Sequence, residues 1–332
     1  MKKTPFAALL AVGLLTGPVA AQPYNLTVAG YSPGGLVSTI GAGLDAAMAA
    51  AYPGSTITYQ TGSGGLANAM LLEQNKVPLA LIGGTELNVA IKGLKPIPKA
   101  LTDLRLLVQP YAASSRFQAT HVLVNKEWAE KNGIKTVADI AAKKPAIKVA
   151  FNRPGNLDGD VGLAVFEANG ISQDDIKKWG GQVVRAASQE MTSLMLDRRL
   201  DGVVFGISIN HPRIREMANG LDLVMLPITE ATAKKVADDL GAEPCDVKAG
   251  EYKFLASDSS SVCVGMNLVV RADMDEKTAY NLTKGIIEQA EKYKAAHRLL
   301  QKVVSNETLA RKGLIAHHPG AAKYLKEKGL LK

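Results

Sequence analysis

The sequence predicts an α/β protein of two lobes, each organised on a mostly parallel sheet. Three observations lead there. A unit of short apolar strand, glycine loop and helix recurs before residue 93 and restarts after Lys148. That order is the pattern of right-handed crossings between parallel strands. The 332 residues exceed one ordinary core and suit two domains of roughly 100–200 residues each. No Pro- or Ser-rich linker divides the halves. Two crossing strands, with residues 121–125 and 263–271 as candidates, then join the lobes in place of a tether. This places the first lobe at 22–120 and 270–332, and the second at 121–269.

The elements follow in order. Residues 26–29 read as a strand that runs into Tyr31-Ser32-Pro33-Gly34-Gly35, and a small-residue helix spans 36–51. Tyr52-Pro53-Gly54 stops it. Residues 56–60 alternate as a strand does, and Thr61-Gly62-Ser63-Gly64-Gly65 opens a helix through Glu73. Residues 79–82 form a buried strand that ends at Gly83-Gly84. In the second half, residues 148–151 are a strand and Asn152-Arg153-Pro154-Gly155-Asn156 a turn. A helix over 158–168 closes at Asn169-Gly170. Strands at 183–184 and 203–205 bracket a helix at 191–199. Residues 264–270 give a last strand, followed by two helical stretches rich in Lys, Glu and Ala.

The first 21 residues have a separate logic. Lys2-Lys3 precede an apolar run over 6–15, and Pro18-Val19-Ala20-Ala21 puts small residues before Gln22. That order is an export signal cleaved before Gln22, too short to span a hydrocarbon core of about 30 Å. Export makes the two cysteines, Cys245 and Cys263, a candidate disulfide. The alternative is two separate buried thiols. Their spacing fits neither CxxC nor a zinc pattern.

Composition narrows the function classes. With 47% apolar residues, wholesale disorder is excluded. Lys and Arg outnumber Asp and Glu by 39 to 31, but no basic run is interleaved with aromatics. Nucleic acid is therefore not an expected partner, and a mildly basic surface suits an acidic small molecule.

Three glycine loops, at 31–35, 61–65 and 152–156, each join a strand end to a helix start. Ligands of open parallel sheets bind there, because helix N-termini present unpaired N–H groups and partial positive charge. Divided between two lobes, the loops imply a ligand held in a cleft between them. No P-loop, dinucleotide fingerprint, Gly-x-Ser-x-Gly elbow or His-Glu-x-x-His is present, and no motif asks for a cofactor. Asn156, Asp158, Asp160 and Glu167 echo a calcium loop, but its sixth position holds Val161 in place of glycine. No metal is expected. His317-His318 reads as a structural turn before Pro319-Gly320.

Taken in order, Tyr31 to Gly35, Thr61-Gly62-Ser63-Gly64-Gly65-Leu66-Ala67-Asn68, Asp201-Gly202-Val203-Val204-Phe205-Gly206 and the ending from His318 to Gly329 form a family pattern. It resembles the solute-binding subunits of TRAP transporters of the TAXI type. The resemblance implies a type II-like, two-lobed periplasmic binding protein, expected as a monomer. It would close on a solute and deliver it to a sodium-driven membrane complex. Relatives favour small acids such as glutamate and 2-oxoglutarate. Two departures alter the pocket. The family's Gly-Ser-Gly-Thr run is replaced by Arg153-Pro154-Gly155-Asn156-Leu157-Asp158, and an Asp after the third strand by Gly84-Thr85-Glu86.

The expected ligand contacts are Tyr31, Ser32, Ser38, Ser63 and Asn68 from the first lobe. Asn152, Arg153, Asn156 and Phe205 come from the second. Arg153 is the natural carboxylate clamp, since its planar fork matches two oxygens. Its alternative is a structural pair with Asp158 or Asp160. Two other functions are compatible with the same fold: a receptor that feeds a sensor, and an exported enzyme. The absence of any set of nucleophile, base and orienting group disfavours the enzyme.

Overall fold

The computed structural model describes residues 22–31, 36–154 and 157–331. The expected export signal, Ser32 and Asn156 lie outside them. The first passage runs β1 (Asn25–Ala29), α1 (Leu36–Ala51), β2 (Thr56–Gln60), α2 (Gly65–Glu73), β3 (Leu79–Gly83), α3 (Gly84–Lys92) and β4 (Leu104–Tyr111). The chain then builds β5 (Ala119–Asn125), α4 (Lys126–Asn132), α5 (Val137–Lys143), β6 (Lys148–Phe151), α6 (Leu157–Ala168), α7 (Gln173–Lys178) and β7 (Gln182–Arg185). It continues through α8 (Ser188–Leu196), β8 (Gly202–Ile207), α9 (Pro212–Gly220), β9 (Leu223–Met225), α10 (Glu230–Leu240), β10 (Glu243–Val247) and β11 (Ser259–Cys263). β12 (Met266–Arg271) leads into α11 (Glu276–Glu288), α12 (Ala290–Ala295), α13 (Arg298–Val303), α14 (Asn306–Leu309) and α15 (Pro319–Glu327). The two helical stretches expected after the last strand are thus five helices.

Two mixed sheets result. One has the order β2-β1-β3-β12-β4; the other runs β10-β11-β5-β8-β6-β7, with β9 beside β5. β1, β2 and β3 are parallel, as are β6, β7 and β8. β12 runs antiparallel between β3 and β4, and β5 antiparallel to β8. The chain passes between sheets at 112–118 and again at Val264–Gly265. Residues 264–270, expected as one strand, therefore break at the second passage, and Met266 to Val269 belong to the first sheet, not the second lobe.

Each sheet is covered on both faces, so its central strands are apolar throughout and not alternating. In β3, Leu79 and Leu81 pack with Ile40, Leu44 and Ile286 on one face. Ala80 and Ile82 pack with Ala69, Leu72 and Leu87 on the other. The second sheet repeats this: Val149, Phe151 and Val204 face Val161 and Val165, while Ala150, Val203 and Phe205 face Met191 and Ile214. A disulfide joins Cys245 in β10 to Cys263 in β11, with an S–S distance of 2.05 Å. The lobes touch beside the passages. Asn88 Nδ2 of α3 donates to the Asp239 carbonyl of α10 at 3.1 Å, and Gly84 N–H donates to the Gly265 carbonyl at 3.0 Å.

Candidate functional site

Parallel pairing puts the C-terminal ends of the parallel strands on one edge of each sheet. In the first sheet the edge carries Gln60, Ala29 and Gly83; in the second, Ile207, Phe151 and Arg185. The loops that leave these edges hold most of the expected contacts.

Tyr31 follows β1. Its N–H donates to Tyr59 Oη at 2.6 Å, and its own hydroxyl accepts the Gly83 N–H at 3.0 Å, tying the ends of β1, β2 and β3 together. The hydroxyl also lies against the buried Glu86, in the first turn of α3. Burial, and then the Glu86 charge, push the Tyr31 hydroxyl well above its ordinary pKa. Gly65 makes this packing possible: a Cβ there would stand 2.6 Å from Tyr31 Oη and 2.8 Å from Glu86 Cδ. Gly64, with φ of 131°, holds a backbone conformation that favours glycine. Ser63 beside it is exposed, and Ser38 is half-buried in the first turn of α1.

Asn68 takes a different place from the one its sequence context suggests. It is fully buried, and its Nδ2 donates to the carbonyls of Gly30 at 3.0 Å and Leu81 at 2.8 Å. The side chain braces the edge from beneath. Phe205 is also fully buried, packed in the core face shared with Met191 and Ile214, and offers no surface to a solute.

On the second edge, Asn152 is buried, with Oδ1 accepting the Arg153 N–H at 2.8 Å and Nδ2 donating to Ser188 Oγ at 3.3 Å. That links the end of β6 to the start of α8. Arg153 is exposed and stands 4.0 Å from Glu190, not against Asp160. Asp160 instead faces Arg185, with 3.7 Å between Oδ1 and Nη2. Burial raises the Asp160 pKa, and Arg185 opposes that rise. Arg185 also donates from Nε to the Asn152 carbonyl at 2.6 Å. Ser208, after β8, is buried.

Three helices that leave these edges start without side-chain caps: α2 at Gly64, α3 at Gly83 and α8 at Ala187. The starts of α2 and α8 leave first-turn N–H groups for another acceptor, whereas the first N–H of α3, that of Gly84, is taken by the Gly265 carbonyl at 3.0 Å. α9 is capped, since His211 Nδ1 accepts the Arg213 N–H at 3.2 Å. Elsewhere His318 caps α15 by the same geometry, with its Nδ1 accepting the Gly320 N–H at 3.2 Å.

A separate open groove of about 1110 Å³ lies on the second lobe between α9 and the loop at 250–254. Its lining includes Arg215, Lys253 and Phe254, and none of the expected contacts.

Residues 28–329 match the NMT1-like family. The chain belongs to the NMT1-like family.

Solved structures share the fold of this NMT1-like chain. PhnD1 from Prochlorococcus marinus (MIT 9301), in complex with methylphosphonate, aligns over 93% of this chain and 100% of its own, with a TM-score of 0.57 and 12% identity. MatC from Rhodopseudomonas palustris, with bound malate, covers 86% and 90% at a TM-score of 0.52 and 14% identity. A TctC solute-binding protein from Polaromonas covers 93% and 97% with the same score and identity. At such identities the likeness is one of fold, and that fold is two-lobed.

Sequence reasoning missed Glu86 as a partner of Tyr31 and missed Arg185 altogether. The same signal that singled out Arg153 was present for Arg185: a cation at the C-terminal end of a short apolar strand, next to a helix start.

Proposed function

We propose that this NMT1-like protein is a non-catalytic periplasmic receptor, exported by residues 1–21, that closes on a small organic acid. The solute is then delivered to a TRAP membrane transporter of the TAXI type, as the resemblance implies. One observation carries this reading: two strand edges, one in each lobe, send out helices whose starts have no side-chain cap. Unpaired N–H groups and the helix dipole favour an anion there, by roughly 0.3–1 kcal/mol per helix end. Ser63 and Ser38 add hydroxyls from the first lobe, and Arg153 adds a cation at the rim of the second. Closure would remove water from these bonds and strengthen them. The methylphosphonate and malate of two structural neighbours are of compatible chemistry.

The test is mass spectrometry of small molecules released by mild denaturation from protein purified out of the periplasm. A small carboxylate, phosphonate or sulfonate is the expected result. Release of no small molecule, together with no thermal shift on adding such acids, would overturn the reading.

A further inference from the structure

We infer that Arg185, rather than Arg153, reads the anionic group of the solute, with Asp160 as its weak counter-ion before the solute binds. The inference rests on the receptor reading above and names a residue within that site.

Anion recognition needs a cation whose position is fixed before the ligand arrives, since ordering a loose side chain offsets much of the gain. Arg185 meets that condition. Its Nε–H donates to the Asn152 carbonyl at 2.6 Å, which fixes the guanidinium over the end of β6. The side chain is 21% exposed, against 65% for Arg153. Arg153 has only Glu190 at 4.0 Å, an exposed pair of small consequence.

The guanidinium is also incompletely satisfied. Among the described residues Nη2 is enclosed and makes no hydrogen bond, and its ion-pair partner there, Asp160 Oδ1, lies 3.7 Å away. Such a distance is a charge contact without a hydrogen bond. Gly159 creates the space, because a Cβ there would come within 2.9 Å of Nη2. Arg185 is two residues ahead of Ala187, the uncapped start of α8, and Asn152 holds that start through Ser188. A carboxylate, phosphonate or sulfonate placed here meets a preset cation and unpaired N–H groups together. A planar fork suits all three anions.

The experiment uses calorimetric titration of the mature protein with L-malate, L-glutamate, 2-oxoglutarate and methylphosphonate, and with the methyl ester of whichever acid binds best. Arg185→Gln is expected to lower affinity for that acid on the order of tenfold to a hundredfold. It should also erase the preference for acid over ester, which a purely structural role would leave in place. Arg185→Lys recovers part of the loss. Asp160→Asn raises affinity severalfold by removing a competing anion. Arg153→Gln weakens binding less than Arg185→Gln and keeps the acid preference. A folded Arg185→Gln protein that still prefers acid to ester overturns the inference. So does loss of that preference in Arg153→Gln. If Arg185→Gln does not fold, wild-type affinity in both Arg185→Lys and Asp160→Asn overturns it. If none of the four acids binds the wild type, the arginine assignment fails, while a neutral solute that copurifies would leave the receptor reading intact.

Discussion

Helix starts at the strand edges and helix starts elsewhere in the molecule are built by opposite rules. Away from the edges, α4 begins at Asn125, α10 at Thr229 and α11 at Asp275, each with a side chain that accepts a first-turn N–H. α5 and α7 have full capping boxes, Thr136 with Asp139 and Ser172 with Asp175. At the edges, α2, α3 and α8 begin at Gly64, Gly83 and Ala187 with no such bond. A cap is worth about 1 kcal/mol to a helix. At α2 and α8 its absence forgoes that stability and leaves first-turn N–H groups open, while at α3 the Gly84 N–H is taken by the Gly265 carbonyl. α12, also uncapped at Gln289, is a different case, because the same residue ends α11.

The strongest way to test the comparison is to remove what supports an uncapped edge. Asn68→Ala deletes the buried donor that reaches the Gly30 and Leu81 carbonyls. Leaving buried acceptors without that donor should lower unfolding free energy by about 3 kcal/mol. Binding should weaken as well, since Gly30 and the loop at 61–64 lose their support. Denaturant unfolding and titration with L-malate measure the two effects. Loss of affinity without loss of stability would return Asn68 to the role its sequence context suggested, a direct contact.

α9 is the capped exception at an edge, and pH sharpens that contrast. His211 Nδ1 must be unprotonated to accept the Arg213 N–H. Burial first, then Arg213 and Arg215, lower its pKa to about 4. In the unfolded chain a histidine takes its proton near 6.5. Between these values the unfolded state binds the extra proton, so stability is full above about 6.5 and falls as pH drops toward 4. From pH 7 to 4.5 the loss traceable to His211 is about 2 kcal/mol. His211→Asn keeps an accepting cap that does not titrate, and should flatten the unfolding profile by that amount. His121, buried and also lowered to about 4, leaves a residual slope in the variant. An unchanged slope would show that His211 is not held neutral.

Much of this was legible in the sequence, for reasons that can be named. The strand over 79–82 stood out as an apolar run too short for a helix, and Gly64 marked a turn whose φ few other residues hold. The cysteine pair followed from an even count in an exported chain, and β10 and β11 bring it together. What failed was facing. Val203, Val204 and Phe205 are all buried because both faces of the second sheet are covered, so no alternation revealed that Phe205 points into a core. Asn68 misled for a related reason: a buried amide and a ligand-facing amide look alike until the carbonyls around them are placed. β11, Ser-Ser-Ser-Val-Cys, has too little apolar signal to register as a strand before its pairing with β10 is known.

A cap can also be added where the edge omits one. Ala187→Asp would place a carboxylate at the N-cap of α8, two residues after Arg185. Stability should rise by about 1 kcal/mol, since an aspartate accepts a first-turn N–H and suits the helix dipole. Affinity for L-malate should fall about tenfold, because the new carboxylate occupies the position proposed for the solute's. Ala187→Ser, which caps without charge, should give a smaller loss. Calorimetry and thermal unfolding on the same samples decide this. A stabilised protein with unchanged affinity would mean that the start of α8 is uncapped for some reason other than a ligand.

The smallest effect belongs to the other side of the comparison. Thr136 caps α5 by accepting the Asp139 N–H at 3.2 Å, and Asp139 returns the bond by accepting the Thr136 N–H at 2.8 Å. Both bonds lie on the second lobe at a helix that follows no parallel-strand edge. Thr136→Ala removes one of the pair and should cost about 1 kcal/mol of stability. Affinity should stay within about twofold of the wild type, since a helix-end bond of this size acts within its own turn. Equal losses of stability and affinity would mean that the second lobe transmits strain from its outer helices to the edge. The division between a capped body and an open edge would then be a matter of position alone, with no separate role for the uncapped starts.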